Sequence, residues 1–143
     1  MLVSQILKDK GDVVFTASPN ETIAAAAALM HSRRVGSMVV IDEVGAVVGI
    51  LCERDVVRAL AKLDAAGLSR PVVEWMDRDV VFASPAETVH VLLERMTDRR
   101  TRHLPVVKDG RLVGIVSIGD LVKSKIAETE AEAAGLKAYI SAA

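Results

Sequence analysis

The sequence predicts an α+β fold built twice: strand, helix, hairpin and helix in each copy, followed by a C-terminal helical extension. Three observations predict it. A glycine-to-aspartate motif occurs as Gly49-Ile50-Leu51-Cys52-Glu53-Arg54-Asp55-Val56 and again as Gly114-Ile115-Val116-Ser117-Ile118-Gly119-Asp120-Leu121. A Ser-Pro-x-Glu-Thr segment occurs at Ser18–Thr22 and again at Ser84–Thr88. Both pairs keep a period of about 66 residues with single-residue slips, too long for a solenoid unit and suited to a duplicated small fold.

Each element has its own signal. Val3–Leu7 and Val72–Met76 are matching lead-ins expected to form helical turns. Val13–Phe15 and Val80–Phe82 are apolar, β-prone runs and read as the first strands. Ser18 and Ser84 read as helix N-caps: proline follows at the first helical position and glutamate completes a capping box. Ile23, Ala26, Ala27 and Met30 then recur at helical spacing, as do Val89, Leu92, Leu93 and Met96, so each helix has one apolar face. Met38–Ile41 and Val47–Leu51 flank a turn at Gly45, and Leu104–Val107 and Leu112–Val116 flank Asp109-Gly110, a strong hairpin signal. Val56, Val57 and Leu60 open a second helix, matched by Leu121, Val122 and Ile126. Leu63–Pro71 connects the copies. In the tail, Val122, Ile126, Thr129, Ala133, Leu136 and Ile140 alternate at spacings of four and three, a short heptad-like seam interrupted by Gly135. The organisation is a first repeat over 1–66, a second over 67–127 and a helical tail over 128–143.

Composition narrows the function. With 143 residues, 51% of them hydrophobic, the chain can bury a core, although one repeat alone would bury a limited share of its surface. The net charge of −1 leaves no electrostatic footprint for nucleic acid, and 3% aromatics are too few for base-stacking platforms. One cysteine allows neither an internal disulfide nor a cysteine metal cluster. No apolar run reaches the roughly 18 residues of a membrane span, and the first residues carry no signal-peptide pattern. The expectation is a cytoplasmic protein without nucleic-acid or membrane partners.

The two glycine-to-aspartate motifs, the two Ser-Pro segments and Arg102-His103-Leu104-Pro105-Val106-Val107, in register at one period, resemble a pair of CBS domains, the regulatory repeats named after cystathionine beta-synthase. The resemblance runs from Val3 to about Ala127 and leaves no room for a catalytic domain. It implies two βαββα units related by a pseudo-two-fold axis (a Bateman module). It also implies clefts between the repeats that hold AMP, ADP or ATP, and in some members S-adenosylmethionine or NAD. Each cleft would take its ribose and phosphate motif from one repeat and its base-side residues from the other. One site would combine Cys52, Glu53, Arg54 and Asp55 with Val80, Val81 and Phe82 and with Arg102 and His103. The other would combine Ser117, Ile118, Gly119 and Asp120 with Asp12, Val13 and Val14 and with Val35, Gly36 and Ser37. AMP is the first candidate ligand, and a homodimer the expected assembly, with an unidentified regulated protein as a further partner.

The chemistry has two readings at each place. A carboxylate can accept both hydroxyls of a ribose cis-diol. Yet Ser117-x-x-Asp120 is also a capping box, in which the aspartate serves only its helix. Ser117 can donate to a phosphate; Cys52 holds the matching place, where a thiol is a weaker donor and a buried apolar role is the plainer reading. Arg102 and His103 suit a phosphate, but Arg102 with Arg99 and Arg100 also reads as a solvated cluster at a helix C-terminus. The first repeat carries no charge at Val35-Gly36-Ser37, so the Asp55 site is expected to hold phosphate more tightly, a charge-assisted bond being worth roughly 1.5–3 kcal/mol against about 1 for a neutral one. His31 and His90 lack metal-ligand neighbours, no nucleophile–base arrangement stands out, and no enzyme or catalytic cofactor is expected. A regulatory nucleotide-binding module is therefore weighed against a structural interaction module with vestigial clefts.

Overall fold

In the computed structural model, which describes residues 1–11 and 13–142, each repeat is completed by the other's lead-in. One compact unit is Val13–Val80; the other joins Met1–Asp12 to Val81–Ala143. The first helix, α1 (Val3–Lys10), thus packs with the second copy of the motif, and the short 3-10 turn Val72–Glu74 with the first.

The unit Val13–Val80 contains β1 (Thr16–Ala17), α2 (Ile23–Arg33), β2 (Ser37–Ile41), β3 (Val47–Cys52) and α3 (Glu53–Leu63), then 3-10 turns at Asp64–Ser69 and Val72–Glu74. Its sheet has the order β1-β2-β3, parallel at β1–β2 and antiparallel at β2–β3. Ile23, Met38, Leu51 and Val72 are fully buried in its core. The other unit contains α1, α4 (Val89–Arg99), the hairpin of β4 (His103–Lys108) and β5 (Arg111–Ser117), and α5 (Ile118–Ala142). Its core buries Val3, Leu92, Leu104, Val116 and Leu121 completely. Each such side chain contributes roughly 1.5–3 kcal/mol, which is why the lead-ins are held. Close approach of backbone to side chain fixes the same contact. A Cβ at Gly114 would lie 2.5 Å from Leu7 Cδ2, and one at Gly49 would lie 2.5 Å from Met76 Sδ. At the second hairpin, Asp109 and Gly110 both take positive φ (52° and 76°), the left-handed geometry that the Asp-Gly pair signals.

Two local expectations are corrected. Val13–Phe15 and Val80–Phe82 are not strands; pairing falls just beyond them, at Thr16–Ala17 and at the isolated bridge Ala83–Val106. The small residues Ala17 and Ala83 enter the cores, whereas Val13 is 70% exposed. The helices do not start at the Ser-Pro segments. Ser18 and Ser84 open turns, in which their carbonyls accept from Glu21 and Glu87, and the N-caps are Thr22 and Thr88. Thr22 Oγ1 accepts from Ala25 N–H at 3.1 Å and Thr88 Oγ1 from Val91 N–H at 3.3 Å. Residues just before the lead-ins finish the caps: Ile23 N–H donates to Arg70 O and Val89 N–H to Met1 O. The C-terminal extension is helical as expected, continuous with the second helix of the second repeat as α5. Leu121 and Ser124 are buried, and nearly every residue after them is exposed.

Candidate functional site

In each repeat the last hairpin strand ends at the residue that begins the glycine-to-aspartate turn. Ser37 pairs with Cys52, and Glu53 N–H donates to Gly36 O at 3.1 Å. His103 pairs with Ser117, and Ile118 N–H donates to Arg102 O at 2.8 Å. The strand register therefore sets Val35–Ser37 beside Cys52–Asp55, and Arg102–His103 beside Ser117–Asp120.

Both aspartates lie at the third position of their helix and fold back on its start. Asp55 Oδ2 accepts from Cys52 N–H at 2.8 Å, and Asp120 Oδ2 accepts from Ser117 N–H at 2.8 Å. Ser117 Oγ accepts in return from Asp120 N–H at 3.2 Å. The capping-box reading of these carboxylates is thus realised in both copies.

Each carboxylate also holds a cation. Arg58 Nη2 donates to Asp55 Oδ1 at 3.0 Å and to Trp75 O at 3.0 Å. Lys10 Nζ donates to Asp120 Oδ2 at 2.6 Å and to Ile115 O at 2.9 Å. Burial pushes the Asp120 carboxyl up, but the Lys10 ammonium and the Ser117 N–H outweigh it and hold the group below the ordinary range. Lys10 gives the Asp120 motif a cation that the sequence reading had not placed there. No local pattern points to it, since it stands 110 residues away and reaches the motif only through the docking of α1.

Burial pushes the Cys52 thiol up to about 11, with Asp55 adding to the rise and Arg54 opposing it. It stays protonated at neutral pH, so it is neither a thiolate nucleophile nor a strong donor. Arg99 ends α4 and Arg100 caps it in a left-handed conformation, so these two belong to the helix terminus; Arg102 lies beyond it and is exposed.

Asp55, Cys52–Arg54, Val35–Ser37, Val13, Val14 and Val80 belong to one unit. Val81, Phe82, Arg102, His103 and Ser117–Asp120 belong to the other. Asp12 lies outside the described residues. Val35 and Glu53 line a surface groove with His31 and Arg34, which brings two more basic side chains near the first motif. Val81 and Phe82 line another with Glu94 and Arg95, whose Nη1 donates to Phe82 O at 2.9 Å. Among the described residues no group of three or more His, Cys, Asp or Glu side chains forms a metal site. No helix among them is long and apolar enough to cross a membrane.

The comparisons with known proteins agree with this duplicated geometry. The family model for the CBS domain matches twice, over residues 4–62 and 72–126. The chain belongs to the CBS-domain family. As a CBS pair it is a regulatory type of module. A solved CBS-domain protein from Agrobacterium tumefaciens is 43% identical, with a TM-score of 0.84 over 87% of this chain and 92% of its own. The CBS domain-containing protein YhcV of Bacillus subtilis is 34% identical over 85% of each chain. The CBS domain pair of protein MJ0100, solved in complex with 5′-methylthioadenosine and S-adenosyl-L-methionine, is 29% identical, with a TM-score of 0.80 over 90% of this chain and 98% of its own.

Proposed function

We propose that this CBS pair is a regulatory sensor of adenosine-containing ligands, with adenine nucleotides, and AMP first among them, as its ligands. The observation that carries the reading is the matched pair of aspartates: each is held by its own helix start at 2.8 Å, and each lies beside the turn that precedes the hairpin. A carboxylate oxygen accepts more than one hydrogen bond, so a ribose cis-diol can be added to either group without undoing the cap. The MJ0100 pair, which shares the fold, supports an adenosine moiety as the common element.

In this reading Asp55 and Asp120 take ribose hydroxyls, and Ser117 donates to phosphate. Val80–Phe82 and Val13–Val14 serve the base side, as the family resemblance implies. Arg102 and His103, which the strand register sets beside Ser117–Asp120, are proposed as cations for the ligand on Asp55 only as the family resemblance implies. Lys10 adds one at Asp120, which removes the premise on which Asp55 was expected to bind phosphate more tightly. Occupancy would shift the protein between states by its differential affinity for them, with no catalysis. The protein is proposed to work as a homodimer in the cytoplasm.

One observation favours a second reading, an interaction module with vestigial clefts: both carboxylates already have a full structural role as helix caps. Thermal melting with AMP, ADP, ATP, NAD and S-adenosylmethionine separates the two. A ligand at about 100-fold above its Kd adds ~2.7 kcal/mol of stability. A shift with at least one of the five is expected; none with any would favour the interaction module.

A further inference from the structure

Helix α5 carries an apolar seam that none of the described residues of its own unit covers. Its inner side is anchored: Leu121 and Ser124 are buried, and Glu128 meets the N-terminal ammonium of Met1 at 3.4 Å. The seam turns away from that side. Val122, Ile126, Leu136 and Ile140 are 43%, 54%, 61% and 65% exposed, and Thr129 and Ala133 between them are also exposed. In heptad terms Ile126, Ala133 and Ile140 are the a positions and Val122, Thr129 and Leu136 the d positions. Near the end of the seam Leu136 at d is followed by β-branched Ile140 at a, the combination that favours two parallel strands, while Val122 and Thr129 at d leave the choice to the flanking charges. Gly135 falls at an outward c position, where a missing side chain leaves the seam intact.

The flanking charges choose the partner and its direction. In a parallel pair, each g residue faces the e residue five positions later on the other helix. Here that sets Lys125 against Glu130 and Glu132 against Lys137 of a second copy, and the two-fold repeats both pairs. An antiparallel pair on the same seam would set Glu130 against Glu130 and Lys123 against Lys137. We propose that α5 joins two copies of this chain as a parallel, in-register, two-stranded coiled coil, with Ile126, Leu136 and Ile140 as its apolar core. The pairing does not rest on the ligand reading; it would hold two sensors together whatever they bind.

The test uses the full chain. In a Cys52→Ser background, Ala133→Cys places one thiol per chain at an a position, where only the parallel register brings the two together. Mild oxidation is expected to convert the protein to a covalent dimer. In a separate series without the added thiol, Lys125→Glu is expected to weaken association roughly tenfold, because it turns two attractions into repulsions, and adding Glu130→Lys is expected to restore it. These exposed charges leave folding alone, so the swap reads the interface. Absence of the disulfide at concentrations where light scattering finds dimers, or a double variant no better associated than the single one, overturns the proposal.

Discussion

Arg58 donates to Asp55 Oδ1 at 3.0 Å while its guanidinium lies over the Trp75 ring, 5.2 Å from the centroid. The candidate ribose carboxylate of the first repeat is therefore wired to the chain's single tryptophan through one side chain. A ligand hydroxyl entering at Asp55 competes with Arg58 for Oδ1, and any movement of Arg58 changes the surroundings of the indole. Trp75 fluorescence should respond to AMP in the wild type and lose that response in Arg58→Met. The same variant should be less stable by about 1 kcal/mol, the scale of a partly exposed cation–π contact, measured by urea unfolding. A fluorescence response that survives unchanged would show that Arg58 does not carry it.

Lys10 should make stability depend on acid through Asp120. The folded Asp120 carboxyl lies below its ordinary value of 3.8, so the unfolded chain binds its proton first as the pH drops. The stabilisation is present above that value and is lost as pH falls through the folded one. Lys10→Met should cost less than about 1 kcal/mol near neutrality, since the pair is partly exposed, and should cost progressively less below about pH 4. Urea unfolding at several pH values checks this; an equal loss at pH 7 and pH 3 would contradict it.

The helix starts can be ranked by substitution. Thr22→Ala and Thr88→Ala remove the side-chain acceptors for Ala25 and Val91 N–H and should each cost about 1 kcal/mol. Ser18→Ala should cost less, because Ser18 Oγ accepts only a long 3.4 Å bond within a turn. Thermal unfolding of the three variants decides the order.

These differences show where sequence pattern stops. The duplication, both hairpins and the two aspartate motifs were legible because each is local: a turn residue, an alternation or a cap lies within a few positions of what it controls. The Ser-Pro segments misled because a capping box and a turn leading into a cap share the same residues. Val13–Phe15 misled because apolarity marks what can be buried, whereas small Ala17 in β1 is buried in the core with Ile23 and Met38. The exchange of lead-ins was hidden because Val3 and Val72 carry the same pattern and either could serve either core. That exchange brings Lys10 to Asp120, so a cation beside the candidate site stayed invisible until the packing was known.

The central claim is that Asp55 and Asp120 bind the ribose of adenosine-containing ligands. Asparagine keeps one acceptor for the helix cap but removes the charge and the second carboxylate oxygen. Calorimetric titration of AMP and of S-adenosylmethionine into the wild type, Asp55→Asn, Asp120→Asn and the double variant is therefore the most direct measurement. The account predicts binding to the wild type, loss of one class of site in each single variant, and no binding to the double variant with its melting temperature little changed. Binding that survives in the double variant, or a wild type that takes up neither ligand, would contradict it and leave the two carboxylates as helix caps.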